Sequence, residues 1–193
     1  YFMRYYTLNN DFTIDLSNNH IDFINERPTD WKVTLVDTGH DSLTGGRIKR
    51  LQPVIGNEDF MVTYGDAVSD VNIEKLVKHH YDMGKLATVT AVHPAARFGE
   101  LQLNDEGLVT SFKEKPQVNQ GWINGGFFVL SPKVFDYIEG DRTTFEAEPL
   151  ERLSAEGQLE AYLHDGFWQC MDTVRDREKL NEMWNSGHAP WMD

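Results

Sequence analysis

The chain has 193 residues, enough to bury a real core in one domain, and no internal repeat or low-complexity linker divides it, so it reads as a single domain over 1–193. A net charge of −13 argues against nucleic acid as the main partner, because a phosphate backbone is bound by clustered Lys and Arg; a nucleotide stays open, since a metal ion and one or two basic side chains offset triphosphate charge locally. Cys170 is the only cysteine, which rules out an internal disulfide and suits a reducing, cytoplasmic setting; no apolar run reaches the length of a membrane span, and no signal-peptide pattern opens the chain.

Residues 1–10 are aromatic-rich and read as helical or partly extended. Phe12, Ile14 and Leu16 alternate as in a strand, a turn follows at 17–20, and residues 21–24 can pair back as a hairpin. Residues 31–36 (Trp-Lys-Val-Thr-Leu-Val) alternate aromatic and β-branched side chains and predict a strand. The loop over 37–46 ends in Gly45-Gly46 and enters a helix bearing Arg47, Lys49 and Arg50. Hydroxyls, a glycine pair and a helix start can cradle an anion, although most such loops only cap a helix.

Residues 60–70 read as a short buried strand running into Gly65 and then an acidic turn. The carboxyl end of a strand in an α/β sheet is where ligands bind, and glycine there lets a phosphate or another backbone come close. Asp66 reads equally as a turn former or as a ligand of a hard cation, and Asp70 as the cap of the helix that follows over 71–83. Gly84 stops that helix, and residues 87–92 form another buried strand. Alternation of strand, helix and strand argues for a parallel α/β core. Residues 101–103 and 108–112 read as a hairpin, 127–130 as an apolar strand, and Ser131-Pro132 as the start of a helix to about 138. Residues 143–157 read as mostly helical, 159–164 as a strand, 165–173 as a second acidic turn containing Asp172, and 175–185 as a terminal helix.

Two groupings could carry chemistry. Asp66 and Asp172 each sit in a turn at a strand end, and two carboxylates sharing one Mg²⁺ with water and phosphate oxygens is the usual arrangement for phosphate chemistry. Glu114-Lys115 with Asn124-Gly125 would suit sugar hydroxyls and an anion, although Glu114 and Lys115 also read as a solvated surface pair. His79, His80 and His164 have no zinc-ligand spacing with Cys170 or each other, and no Gly-x-Ser-x-Gly elbow is present, which weakens zinc and hydrolase readings.

The succession TLVDTGHDSLTGGRIKR, TYGDAVSD, RFGELQL, SFKEKP, WINGGFFVL, TTFEAEPLERL and GFWQCMDTVRD resembles the sugar-nucleotide pyrophosphorylases, from about Trp31 to the end. The Thr-Leu-Val-Asp-Thr-Gly segment and the Gly-Phe-Trp-x-x-Met-Asp-Thr pattern point to the glucose-1-phosphate cytidylyltransferase branch. The resemblance implies a Rossmann-like α/β fold with a mixed, mainly parallel sheet and Mg²⁺-dependent nucleotidyl transfer. In that reaction glucose 1-phosphate attacks the α-phosphorus of CTP, giving CDP-glucose and pyrophosphate for surface-polysaccharide synthesis. It further implies Asp66 and Asp172 as metal ligands and Arg47 as a catalytic phosphate contact. Thr38, Ser42, Gly46 and Gly65 would meet the nucleotide, and Gly99, Glu114, Lys115, Asn124 and Gly125 would line the sugar-phosphate pocket. Family members form oligomers, so self-association is expected.

One departure is large. The family's Leu-Ala-Gly-Gly-x-Gly-Thr-Arg-Leu loop, and the Lys-Pro segment that follows it, do not stand at the head of this chain. The chain therefore reads as the C-terminal portion of a nucleotidyltransferase with its N-terminal part missing, inactive alone, and with exposed edges at 31–36 and 60–64. Two other readings stand beside the cytidylyl one: a sister enzyme using UTP or dTTP, and a non-catalytic module that holds a sugar phosphate or mediates assembly.

Overall fold

The structure is a computed structural model that describes residues 1–24, 29–94, 100–113 and 121–192. Its contacts cluster in two compact units, 1–37 and 38–193. In the first, helix α1 (Tyr5–Asn9) precedes the hairpin of β1 (Asp11–Asp15) and β2 (His20–Ile24), paired antiparallel with Asp11 opposite Ile24. The hairpin agrees with the alternation read at 12–24. The strand expected at 31–36 does not form: a strand is held by its ladder, and among the described residues no partner pairs with this segment. Trp31 and Leu35 are 66% and 65% exposed, so pattern alone did not make a strand.

The second unit begins with α2 (Thr44–Arg50) and α3 (Gln52–Ile55), followed by β3 (Phe60–Thr63) and β4 (Ala67–Ser69). Helix α4 (Ile73–Met83) leads to β5 (Ala87–Val92). Next come the β6 (Glu100–Leu103) and β7 (Val109–Lys113) hairpin and then β8 (Ile123–Leu130). Helix α5 (Glu148–Ala155), β9 (Leu159–His164), β10 (Trp168–Cys170) and α6 (Val174–Asn185) complete the unit.

The main sheet has the order β3-β8-β5-β9. β8 runs antiparallel to β3 and to β5, and β5 runs parallel to β9, so three strands share one direction and the sheet is mixed. The expected parallel alternation β3–α4–β5 is thus present in direction but not in adjacency, because the later strand β8 lies between its two members. Strand β3 is an edge strand among the described residues.

Alternation along β5 gives the sheet two different faces. On one, Ala87 joins Phe128 and Leu130 of β8 with Ile48, Phe135, Phe145 and Leu153 in the main apolar core. On the other, α4 covers buried Thr88 and Thr90, and the buried His80 ring shares a 2.8 Å hydrogen bond between Nδ1 and Thr88 Oγ1. Burial holds the His80 imidazole below its ordinary pKa.

The α4 start departs from expectation. Asn72 caps it, accepting from the Lys75 amide at 2.8 Å, because Asp70 lies too far upstream and its carboxylate is 2.9 Å from His164 Nε2. Gly84 ends the helix in the left-handed conformation, φ 62°, as read from the sequence. The segment from Pro132 forms a 3-10 turn (Pro132–Tyr137) capped by Ser131, and α5 is shorter than the span 143–157. Among the described residues, no helix is long and apolar enough to cross a membrane.

Candidate functional site

Two strand ends that are far apart in sequence meet through a small ladder. Strand β4 pairs antiparallel with β10, with Cys170 opposite Ala67, and beyond that pair the Met171 amide donates to the Asp66 carbonyl at 2.7 Å. Asp66 and Asp172 therefore come from the two adjoining ends of one ribbon, and both are exposed. The grouping of these two carboxylates was read from the sequence; the ladder that joins them was not. Burial pushes the Cys170 thiol above its ordinary pKa, and the Asp172 carboxylate beside it adds to the shift. Trp168 of β10 anchors the ribbon to the main sheet, its indole N–H donating to the Gly125 carbonyl at 2.8 Å.

Gly65 precedes Asp66, and a Cβ placed on it would meet nothing within 4 Å. That open space is what an approaching ligand needs. Gly125 is different: a Cβ there would lie 2.8 Å from Val92 Cγ1 and 3.0 Å from the Thr90 carbonyl, so close packing of β8 on β5 already requires glycine. Asn124, also read as a sugar contact, is exposed beside the end of β3. Its Oδ1 accepts from the Gly126 amide at 2.8 Å and its Nδ2 donates to the Tyr64 hydroxyl at 3.3 Å.

The loop over 38–46 forms a second grouping. Arg47 donates to Thr38 Oγ1 at 2.9 Å and to the His40 carbonyl at 3.2 Å, so α2 holds the loop that leads into it. Ser42 is buried, its hydroxyl packed against Gly39. Gly46 meets protein rather than open space. A Cβ on it would lie 2.5 Å from Asp141 Cα, and its amide donates to the Thr143 carbonyl at 3.3 Å. Packing accounts for this glycine, and its amide is not aimed at a ligand. Arg50 clamps the same Asp141 with two bonds of 2.8 and 2.6 Å, which hold the Asp141 carboxyl below its ordinary pKa. Gly99, Glu114 and Lys115 lie outside the described residues.

Sequence reading missed Tyr64 and Glu146. Tyr64 directly follows β3, and its hydroxyl donates to Glu146 Oε1; Glu146 Oε2 accepts from Thr44 Oγ1 at 2.5 Å. One carboxylate thus joins the start of α2 to the end of β3. Nothing in Thr-Thr-Phe-Glu-Ala-Glu distinguishes Glu146 from the acidic residue two places on, because its partners lie 82 and 102 residues away. Burial first, and the Glu146 hydrogen bond second, raise the Tyr64 phenol well above its ordinary pKa.

Comparison with known proteins identifies the family. The family model described as nucleotidyl transferase matches residues 17–191. The chain is 46% identical over 192 residues to a protein of Salmonella typhimurium named glucose-1-phosphate cytidylyltransferase, covering 99% of this chain and 74% of that one. It is 43% identical, with the same coverage, to a Bacillus subtilis protein named probable glucose-1-phosphate cytidylyltransferase. Among solved structures, HddC from Yersinia pseudotuberculosis superposes with a TM-score of 0.56 at 24% identity, over 75% of this chain and 64% of that one, a likeness of fold. By the extent of the family match and the identity to these relatives, the chain belongs to the nucleotidyl transferase family.

Proposed function

We propose that the chain transfers the nucleotidyl group of CTP to glucose 1-phosphate, giving CDP-glucose and pyrophosphate. The observation that supports this is the β4–β10 ladder, which brings the chain at Asp66 and the chain at Asp172 to adjoining ends of one ribbon, next to the open approach at Gly65. The choice of CTP and glucose 1-phosphate rests on the names of the relatives that match nearly the whole chain.

The pair suits a Mg²⁺ ion. Both groups offer hard carboxylate oxygens, the ligand type Mg²⁺ prefers. Mg²⁺ is characteristically bound by one or two carboxylates plus substrate phosphates and water, and when bound it neutralises charge on the phosphate oxygens. The nucleophile is an oxygen of the sugar phosphate, already anionic, so no side chain has to remove a proton. The chain's own residues have to align the attacking oxygen opposite the departing pyrophosphate and offset charge. In this reading Arg47, with Thr38 and Ser42 behind it, turns to the nucleotide phosphates. Asn124, with Gly99, Glu114 and Lys115, meets the sugar phosphate. The reading also includes self-association, a cytoplasmic setting and supply of activated sugar to surface-polysaccharide synthesis.

The test is pyrophosphate release from CTP, UTP and dTTP with glucose 1-phosphate and Mg²⁺. It is run on this chain and on a form carrying, at its N-terminus, the family's glycine-rich loop segment. Turnover that prefers CTP supports the proposal. Turnover that prefers UTP or dTTP replaces the base assignment. Binding of glucose 1-phosphate with no turnover in either form overturns the enzymatic reading in favour of a binding module.

A further inference from the structure

The side chains that hold Asn124 have no assigned role, and they form a chain of their own. The Tyr64 ring lies across β8 at Gly126: a Cβ there would be 2.8 Å from Tyr64 Cδ2, and Gly126 itself has φ 80°. Below it, the Tyr64 amide donates to the Gly126 carbonyl at 3.1 Å. Glycine at 126 therefore serves to seat the Tyr64 ring. From that seat the hydroxyl faces two ways, donating to Glu146 Oε1 and accepting from Asn124 Nδ2 at 3.3 Å. Glu146 is fixed in turn by Thr44, whose Oγ1 also accepts from the Phe145 amide at 2.9 Å.

The result is an amide that cannot turn over. With Oδ1 held by the Gly126 amide and one N–H held by Tyr64, a flipped Asn124 would face donor with donor and acceptor with acceptor. Its second N–H has no hydrogen bond among the described residues, and the side chain is exposed near the start of β8. We propose that Tyr64 and Glu146 are positioning residues that lock the Asn124 amide with an N–H presented to the sugar-phosphate substrate. This deepens the function proposed above and rests on it.

Tyr64 and Glu146 are both half-buried, so their hydrogen bond is partly shielded from water. Burial and the Glu146 hydrogen bond both raise the Tyr64 phenol pKa, as expected of a hydroxyl that donates to a carboxylate.

The experiment is steady-state kinetics on whichever form above releases pyrophosphate, with Tyr64→Phe, Glu146→Ala and Glu146→Gln and thermal melts of each. Tyr64→Phe removes the acceptor that holds Asn124. It should raise KM for glucose 1-phosphate roughly tenfold while kcat stays within about threefold and KM for CTP is unchanged. Glu146→Ala should do the same, and the double variant should be no worse than either single one. Glu146→Gln keeps an oxygen to accept from Tyr64 and should recover most of the loss. An unchanged KM for glucose 1-phosphate in Tyr64→Phe overturns the inference. So does a uniform fall in every parameter together with melting temperature that Gln does not rescue, since that is a structural role alone. Absence of turnover in both unsubstituted forms is a different outcome, and it removes the proposed function itself along with this inference.

Discussion

The turn after β3 and the first turn of α2 look alike in sequence, each joining glycine to polar or charged residues at an element boundary, yet their glycines do opposite things. Gly65 borders open space, whereas Gly46 is pressed against the backbone of Asp141 and Thr143. Glycine allows close approach in both, but a ligand can come to one and the protein has already come to the other. The contrast separates a glycine that borders open space from one that shapes the fold, and substitution can test the difference.

The largest effect belongs to the open turn. Asp172→Asn removes one of two carboxylates from the ribbon end and should lower kcat by about a thousandfold, with Asp66→Asn similar and melting temperature little changed. Next comes the packed first turn of α2. Gly46→Ala puts a methyl group 2.5 Å from Asp141 backbone atoms and should destabilise the fold by about 3 kcal/mol in denaturant titration. The matching change Gly65→Ala should cost less than about 0.5 kcal/mol in stability, because nothing stands in its way, while raising KM for the nucleotide. If Gly65→Ala unfolds the protein and Gly46→Ala does not, the contrast is reversed.

Smaller effects sharpen the same division. Asn72→Ala removes the observed cap of α4 and should cost about 1 kcal/mol. Asp70→Ala should leave the α4 cap intact and act instead through His164.

The smallest effect is a pH dependence. His80 has a lowered pKa in the folded protein, so the unfolded chain binds more protons. Its contribution is fully present above the unfolded value near 6.5 and is lost as pH falls through that value towards the lower folded one. The melting temperature of the unsubstituted protein should therefore fall more steeply from about pH 7.5 to pH 5.5 than that of His80→Gln, which keeps a polar partner for Thr88 without titrating. Parallel curves would remove His80 from the account.

Local chemistry made several elements legible. Phe12, Ile14 and the 17–20 turn marked the first hairpin, Gly84 marked the end of α4, and Ser131-Pro132 marked a capped turn. Asp66 and Asp172 were grouped from two acidic turns at strand ends, and the β4–β10 ladder brings those two turns to one end of a ribbon. Residues 31–36 carried a strand pattern as clear as any and formed none, since pattern encodes the faces of a strand and not the neighbour that completes it.

Sequence by itself determined the periodicities, the stops and caps set by residues a few positions apart, the excess negative charge, and the motif succession that marks the family. Each depends on side-chain character or on contacts within one turn of chain. Only the tertiary structure decided that β8 enters between β3 and β5, that Asp70 serves His164 rather than α4, that Gly46 packs while Gly65 stays open, and that Glu146 closes on Tyr64. The reason is the same in each case: these outcomes depend on which groups meet across the fold, and local residue character does not specify that meeting.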